Sequence, residues 1–519
     1  MPVPGSEIQT LADLHRYNAE FVPQRTAIRY QGREHSYSQH IERAGKLASA
    51  LAAAGCQHGA RVAVLAKNCL EYLEVYSACE LGGYIIVPVN FRLSVEEIAF
   101  VLGNTEPLVC FYSSEYREKI EQIKPEVRHL FEFDGNGDNY EAFISSGTNT
   151  FPDYQADIND PVCIVHTSGT TGRPKGAVLT QGGLYGVAAG ISEDASITQQ
   201  DYGLVMQPLF HVGAKFLQLA HHLRGASINL QTQFQPELVW EILVKEKITT
   251  MQLVPTMLQV VLDEIQDDNY PQTSLKTIFY STAPIRESLL RRGLNAFGQV
   301  FLQQYGSTEG GQVTSLAREM HINDGNEKEQ SWLLSAGRAN PGVSIEIVDE
   351  NGNSLPPGKA GEIIVKHEHL MQGYWKDEKA TDETIIDGYL RMGDIGYLDK
   401  DGFLFIVDRK KDMIISGGEN IYPREVEAAL LQHPAVAEVA VIGIPDEHWG
   451  ETVLAAVVLE NDAQASEEEL IEFCKKEIAS YKKPRHIKFV SVLPRIATGK
   501  VDKVSLRKPY WNNADGRSI

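Results

Sequence analysis

The stretch with the strongest chemical character spans residues 166–176 and reads HTSGTTGRPKG. Its glycines allow the backbone to approach an anion closely, and the hydroxyl groups and turn amides around them can donate hydrogen bonds. Lys175 adds a compact positive charge. Because apolar residues precede and follow this stretch, the sequence predicts a phosphate-binding turn between two ordered segments. The predicted ligand-binding residues are Thr167, Ser168, Gly169, Thr170, Thr171, Gly172 and Lys175.

This turn differs from the usual P-loop, because no Gly-Lys-Ser/Thr triplet closes it. An ordinary surface turn built from glycine and threonine is the simpler alternative. The motifs that follow it decide between the two. In chain order they read PLFHVG (208–213), YGSTEG (305–310), YLRMGDIG (389–396), SGGENIYP (416–423) and LPRIATGKVDK (493–503).

The phrase SGTTGRPKG and these five motifs together resemble the signature of the acyl- and aryl-adenylate-forming enzymes. The resemblance covers nearly the whole chain, and SGGENIYP is similar to the version found in fatty and aromatic acid–CoA ligases. It implies ATP, Mg²⁺ and coenzyme A as ligands and a carboxylic acid as substrate.

The resemblance also implies a role for each matched residue. Tyr305, Gly306 and Ala283 would line the adenine site, Thr308 would contact the α-phosphate, and Glu309 would bind Mg²⁺. His211 would gate the acyl pocket. The alternative for residues 305–310 is a turn at the end of a strand, capped by a threonine. The alternative for His211 is a packed neutral histidine. Relatives often have two glycines where this chain has Ser281 and Thr282, so this wall would be narrower here.

The later motifs imply further roles by the same resemblance. Asp394 resembles the aspartate that accepts the ribose hydroxyls, and Arg409 resembles the arginine that supports it. Lys500 is in the position of the catalytic lysine, with Lys503 as the nearby alternative. Each could instead be a turn residue or a solvated charge. The resemblance further implies that a pantetheine channel is lined by Ser416, Gly417 and Gly418. Candidates for the coenzyme A phosphates are Lys482, Lys483 and Arg485, and the alternative is a solvated charged face.

Residues 366–369 read KHEH and depart from the family, which more often has an arginine and a glycine here. Two histidines and a glutamate suggest a metal site, but they are too few for a structural zinc set. We therefore expect an exposed loop.

Alternating strand and helix patterns predict an α/β fold with a largely parallel sheet. The expected organisation is a large N-terminal domain (1–408) of layered α/β subdomains plus a β-subdomain, a hinge (409–412) around Lys411, and a small, mobile α+β C-terminal domain (413–519). The resemblance implies that this domain alternates between two orientations and carries Lys500.

The composition disfavours some classes of binding partner. The net charge of −21 disfavours nucleic acid and anionic membranes as main partners. No apolar run is long enough for an integral membrane segment, and six scattered cysteines fit a reducing compartment, so a cytoplasmic protein is expected. A homodimer is one candidate for the oligomeric state, which the sequence leaves open.

The sequence therefore predicts an AMP-forming acid–CoA ligase, with an apolar fatty acid as the first choice of substrate. The predicted pocket walls, residues 184–191, 211–216, 280–283 and 305–313, contain no arginine or lysine except Lys215. An aromatic acid is an alternative substrate, and a carrier-protein thiol is an alternative acceptor. A nucleotide-binding protein without catalysis is the alternative from another class.

Overall fold

A computed structural model describes residues 8–134, 139–148, 152–167, 174–265, 269–283, 285–417, 419–461, 463–495 and 500–511. The chain divides into two compact units. The first contains the chain up to Thr167, then Pro174–Ser344 and Val365–Leu390, and the second contains Ile345–Ile364 and the chain from Arg391 onward.

The first unit contains thirteen helices among its described residues. They are α1 (Leu11–Phe21), α2 (Tyr37–Ala53), α3 (Leu70–Gly82), α4 (Val95–Thr105), α5 (Arg117–Ile123), α6 (Asn139–Ser145), α7 (Gln181–Asp194), α8 (Val212–His222), α9 (Pro236–Lys245), α10 (Pro255–Asp263), α11 (Glu287–Phe297), α12 (Glu327–Trp332) and α13 (Glu378–Thr384). Local sequence starts several of them. Ser36 with Gln39 and Ser94 with Glu97 form reciprocal capping boxes at α2 and α4.

The strands of this unit form two large sheets. They are β1 (Thr26–Tyr30), β2 (Arg33–Ser36), β3 (Arg61–Leu65), β4 (Ile85–Pro88), β5 (Val109–Tyr112), β6 (His129–Glu132), β7 (Pro161–Thr167), β8 (Lys175–Thr180), β9 (Tyr202–Val205), β10 (Ser227–Leu230), β11 (Thr250–Leu253), β12 (Thr277–Tyr280), β13 (Phe301–Ser307), β14 (Gly311–Leu316), β15 (Arg338–Ala339) and, further along the chain, β18 (Gly373–Tyr374).

Parallel pairing dominates both sheets, as the alternating pattern predicts. The seven-stranded sheet has the order β18-β8-β7-β4-β3-β5-β6, and the nine-stranded sheet has the order β15-β14-β13-β12-β11-β9-β10-β1-β2. Strands β3–β6 are parallel to their neighbours, whereas the hairpins β7–β8 and β13–β14 are antiparallel. These two hairpins carry the phosphate-loop and YGSTEG motifs.

Among its described residues, the second unit contains smaller sheets and three α-helices. A β-subdomain has the order β16 (Ser344–Val348), β17 (Gly361–Lys366), β20 (Tyr389–Leu398), β19 (Ile385–Ile386), and β21 (Leu404–Arg409) also pairs with β20. Strand β19 belongs to the first unit, and β16, β17 and β20 each have at least one residue there. The C-terminal part consists of β22 (Ile414–Ser416), β23 (Glu419–Ile421), α14 (Pro423–Leu430), β24 (Val436–Asp446), β25 (Gly450–Leu459), α15 (Glu467–Glu477), β26 (His486–Phe489) and α16 (Lys503–Arg507).

The α/β class and the α+β C-terminal part are confirmed, while the predicted boundary at 408 and hinge at 409–412 stay predictions. A three-residue turn, Lys410–Asp412, occupies the predicted hinge. Helix α8, which follows the PLFHVG motif, was not predicted from the sequence. No helix among the described residues is long and apolar enough to cross a bilayer. Five of the six cysteines are buried, and all six are free thiols.

Candidate active site

Two hairpins and strand β18 of the first unit bring three polar residues together around the Glu309 carboxylate. The antiparallel register of β7 and β8 pairs Thr167 with Lys175 at the mouth of the phosphate loop. The Thr167 hydroxyl donates to Glu309 Oε1 at 3.0 Å, and the Tyr374 hydroxyl donates to the same oxygen at 3.2 Å. The Lys175 ammonium lies 5.1 Å from the centre of the Tyr374 ring. We call these four residues the Glu309 cluster.

Tyr374 is a member of this cluster that sequence reasoning missed. Strand β18 holds it against β8, where Tyr374 pairs with Ala177. Burial and then the charge of Glu309 raise the pKa of its hydroxyl, so Tyr374 stays protonated and can donate at neutral pH. The signal in the sequence was faint, since it consisted only of an aromatic residue directly after Gly373. The structure shows why glycine is needed there, because its φ is 153°.

The β13–β14 hairpin places the YGSTEG motif with little freedom. Gly306 lies so close to the opposite strand that a Cβ there would be 1.8 Å from the Gly311 carbonyl oxygen. The Gly310 amide donates to the Ser307 hydroxyl at 2.9 Å and closes the turn. Tyr305 is on the same strand, and Thr308 and Glu309 are at the turn that follows it. The hairpin therefore fixes Glu309 in the direction of Thr167.

A small cavity lies next to this hairpin. It is lined by Leu179, Thr180, Gly183, Leu184, Val187, Phe216, Thr308, Gly311, His369 and Leu370. Three of the four predicted pocket segments contribute to this lining. The segment 280–283 does not, and the lining residues that were not predicted are Leu179, Thr180, Gly183, His369 and Leu370.

Lys215, the one lysine within the predicted pocket walls, does not line the cavity. It is fully buried in α8, and its ammonium lies 2.7 Å from Glu80 Oε1 in α3. Its neighbour Phe216 lines the cavity instead. The pocket therefore lacks a lysine or arginine among its lining residues.

The roles of the remaining predicted residues of this unit stay predictions. His211 caps α8, and its Nδ1 accepts from the Gly213 amide at 3.3 Å. Thr282 and Ala283 are exposed after β12, and Thr282 has a φ of +71°. This left-handed backbone is unfavourable for a β-branched residue, whereas glycine adopts it without strain.

The expectation of an exposed loop at residues 366–369 is wrong for both histidines, which are half-buried. His367 Nε2 donates to the Gly310 carbonyl at 2.9 Å, and its Nδ1 accepts from the His369 amide at 3.1 Å. Both ring nitrogens of His367 are thus used by the backbone. Within the described ranges, no group of three or more acidic, histidine or cysteine side chains is arranged to hold a metal ion.

The second unit brings three of the other predicted residues together. The register of β20 and β21 pairs Asp394 with Arg409, and Arg409 Nε lies 3.0 Å from Asp394 Oδ1. Asp394 is almost fully buried. Partial desolvation and the charges of Arg409, Arg424 and Lys411 lower the pKa of Lys500, while Asp394 opposes them, so both members of this ion pair act on the Lys500 ammonium. The alternative lysine, Lys503, is instead paired with Glu427 at 2.8 Å.

The β22–β23 turn presents the predicted pantetheine-channel residues. Gly417 has a φ of +61°, and a Cβ there would be 2.6 Å from the Trp449 ring. The Gly417 amide donates to the Trp449 carbonyl at 2.8 Å, which fixes the turn after Ser416. Of the three basic candidates for coenzyme A, Lys482 is paired with Glu425 at 2.6 Å, and Arg485 lies 4.7 Å from the Trp449 ring centre. Lys483 keeps its predicted role without a test.

Several predicted residues lie outside the described part of the chain. They are Ser168, Gly169, Thr170, Thr171, Gly172 and Gly418. Their roles stay predictions.

The comparison with known proteins identifies the family. Residues 15–375 match the AMP-binding enzyme family, and residues 425–500 match the AMP-binding enzyme C-terminal domain. The chain is 33% identical to the fatty acid–[acyl-carrier-protein] ligase ScoC of Streptomyces coeruleorubidus over 98% of both chains. It is 34% identical to a feruloyl-CoA synthase of an Amycolatopsis species, over 95% of this chain and 97% of that one.

A solved structure supports the same assignment. The o-succinylbenzoate CoA synthetase of Bacillus subtilis in complex with its acyl-adenylate intermediate superposes with a TM-score of 0.85 at 30% identity. The match covers 95% of this chain and 97% of that one. The chain therefore belongs to the AMP-binding, adenylate-forming enzymes. Within them it is an acid–thiol ligase that works through an acyl-adenylate.

Proposed function

We propose that this enzyme joins an apolar carboxylic acid, in the first place a fatty acid, to coenzyme A. The reaction has two steps: acid and ATP give an acyl-adenylate and pyrophosphate, and coenzyme A then gives the acyl-CoA and AMP. The observation that carries the choice of acid is the cavity beside Thr308. Its lining is apolar except for Thr180, Thr308 and His369.

The absence of a cation from that lining separates classes of acid. A second carboxylate or an ammonium group buried there would lose its hydration without a charged partner, which costs several kcal/mol. Lys215, the nearest lysine in sequence, is already paired with Glu80. A monocarboxylic acid with an aliphatic or aromatic body meets no such cost. The aromatic acid therefore stays as the second candidate.

In the first step an anion must approach a polyanion, so the enzyme must supply positive charge and hydrogen-bond donors. Lys175 and Thr308 would contact the phosphates in the first unit, and Lys500 would add the second cation. Asp394 would accept hydrogen bonds from the ribose hydroxyls, while Arg409 holds its carboxylate. Positioning of this kind supplies much of the rate in phosphoryl and nucleotidyl transfer.

The Glu309 carboxylate fits a role in binding Mg²⁺. Thr167 and Tyr374 both donate to Oε1, and Oε2 receives no hydrogen bond from the described residues. Their donation holds the carboxylate in one orientation, with an oxygen available to a hard cation. When bound, Mg²⁺ would neutralise phosphate charge.

The second step requires a thiol at the acyl carbonyl. The residues assigned to its path are Ser416 and Gly417, and only glycine fits the second position, because a Cβ there would meet the Trp449 ring. The C-terminal part would then turn about residues 409–412 to exchange Lys500 for this channel, a gating motion known from other hinged enzymes.

A panel of acids tests the proposal. Pyrophosphate release is measured with ATP, Mg²⁺ and acids of graded chain length, ring content and charge, and the products formed with coenzyme A or with a carrier protein are weighed by mass spectrometry. We expect release with fatty or aromatic monocarboxylic acids and a thioester to coenzyme A. Preference for a dicarboxylic acid would refute the assignment of the pocket. A thioester formed only on the carrier protein would favour that acceptor.

A further inference from the structure

His369 is held in place by its neighbours. The segment between β17 and β18 is tied to the Glu309 turn, because His367 donates to the Gly310 carbonyl and accepts from the His369 amide. The Met371 amide donates to the Glu309 carbonyl at 2.8 Å and fixes the other side of the segment. Two backbone anchors thus flank His369.

The ring of His369 lies directly on helix α7, where the helix has no side chain. A Cβ built on Gly186 would be 2.1 Å from ring Cε1 and 2.3 Å from Nε2. Real side chains do not approach so closely, so only glycine at 186 lets the ring occupy this position. Gly186 and His369 are therefore complementary in shape.

In this position the ring forms part of the wall of the cavity. His369 lines the cavity together with Leu184, Val187 and Phe216, which belong to α7 and α8. Burial lowers the pKa of the His369 imidazole, so the ring is neutral at pH 7 and compatible with an apolar surface.

We propose that His369, seated on Gly186, is the specificity-determining residue that limits the length of the acid. This inference rests on the proposed function, because it concerns the substrate class of the same pocket. An acid that extends past Val187 and Phe216 meets the ring. Replacing the ring with a methyl group creates space next to α7 that a longer chain can fill.

The size of the effect follows from the burial of methylene groups. Space for two more methylenes, at about 0.8 kcal/mol each, corresponds to roughly tenfold in kcat/KM. We therefore expect His369→Ala to raise kcat/KM for the longer acids about tenfold relative to the shorter ones. The KM for ATP is expected to stay the same, because the ring faces the acid cavity.

The experiment compares the wild type, His369→Ala and His367→Ala in pyrophosphate release with saturated acids of increasing length. His367→Ala is the control: it removes the neighbouring imidazole, which anchors the segment but is not part of the cavity lining, so it should lower the rates with all acids and change the length preference much less than His369→Ala does. Gly186→Ala should displace the ring into the cavity and shift the preference toward shorter acids. If His369→Ala does not fold, the less drastic substitution His369→Asn should shift the length preference in the same direction by a smaller factor.

The outcomes separate the two proposals. A wild type that releases no pyrophosphate with any acid refutes the proposed function and this inference with it. An active wild type whose length preference is unchanged in His369→Ala and His369→Asn refutes only the role of His369. A shift of equal size in His367→Ala would also overturn it, because the effect would then come from the segment and not from the ring.

Discussion

The buried ion pair between α3 and α8 gives a quantitative prediction. Lys215 and Glu80 have side chains that are 2% and 1% exposed, and Lys215 Nζ lies 4.6 Å from the centre of the Tyr76 ring. His15 Nε2 lies 2.5 Å from the second carboxylate oxygen of Glu80. Removing Lys215 would leave this carboxylate buried without its main cationic partner.

We predict that Lys215→Met lowers the free energy of unfolding by about 3–5 kcal/mol at pH 7, the usual cost of breaking a buried pair on one side. The pKa of Glu80 gives an independent figure. Burial raises it, but Lys215 and His15 outweigh burial and lower it from 4.5 to about 2. A difference of this size corresponds to about 3 kcal/mol of stability.

The sign of the pH dependence follows from this pKa. Because the folded protein holds the Glu80 proton less tightly than the unfolded chain, the stabilisation is fully present above about pH 5 and is lost as the pH falls toward 2. Glu80→Gln should therefore make stability less dependent on pH in this window.

The assay is urea unfolding at pH 7 and at several lower pH values. The control is the double variant Glu80→Gln/Lys215→Met, which removes both charges and should recover a large part of the loss. A loss below about 1 kcal/mol for Lys215→Met, or a double variant no better than the single one, would refute the buried pair.

Three further predictions concern single substitutions in the first unit. Tyr374→Phe removes one donor from Glu309 and should lower kcat for pyrophosphate release about tenfold, since a hydrogen bond to a charged group contributes about 1.5 kcal/mol; an unchanged kcat would remove Tyr374 from the site. Thr282→Gly should raise stability by about 0.5–1 kcal/mol, because relief of left-handed strain exceeds the added entropy of the unfolded chain; a thermal melt that shows a lower midpoint would contradict this. Gly306→Ala should abolish activity while the fold persists, because a Cβ would be 1.8 Å from the Gly311 carbonyl oxygen and must open the hairpin; full activity would show that the hairpin does not position Glu309.

The sequence predicted the elements whose chemistry is local. Glycine and hydroxyl residues after an apolar strand indicated a turn between two ordered segments at Thr167 and Lys175, and the structure shows that these segments form a hairpin. The family resemblance assigned Asp394 and Arg409 to one ribose site, and the structure pairs them in a second hairpin. Alternating strand and helix patterns supplied the fold class. These inferences needed only a short stretch and its periodicity.

The contacts that were missed join distant parts of the chain. Tyr374 reaches Glu309, and His369 lies on Gly186, through packing between elements that no local pattern encodes. Lys215 looked like a pocket residue because the sequence does not show which face of α8 meets α3. Such pairings depend on three-dimensional packing, so periodicity alone could not reveal them.

The most direct test of the central claim separates the two half-reactions in Lys500→Ala. Pyrophosphate release from acid and ATP is measured in one experiment, and conversion of a supplied acyl-adenylate with coenzyme A is measured in another. We predict that the variant loses the first half-reaction by several orders of magnitude and keeps the second half-reaction near the wild-type rate. Equal loss of both half-reactions, or retention of the first, would contradict it.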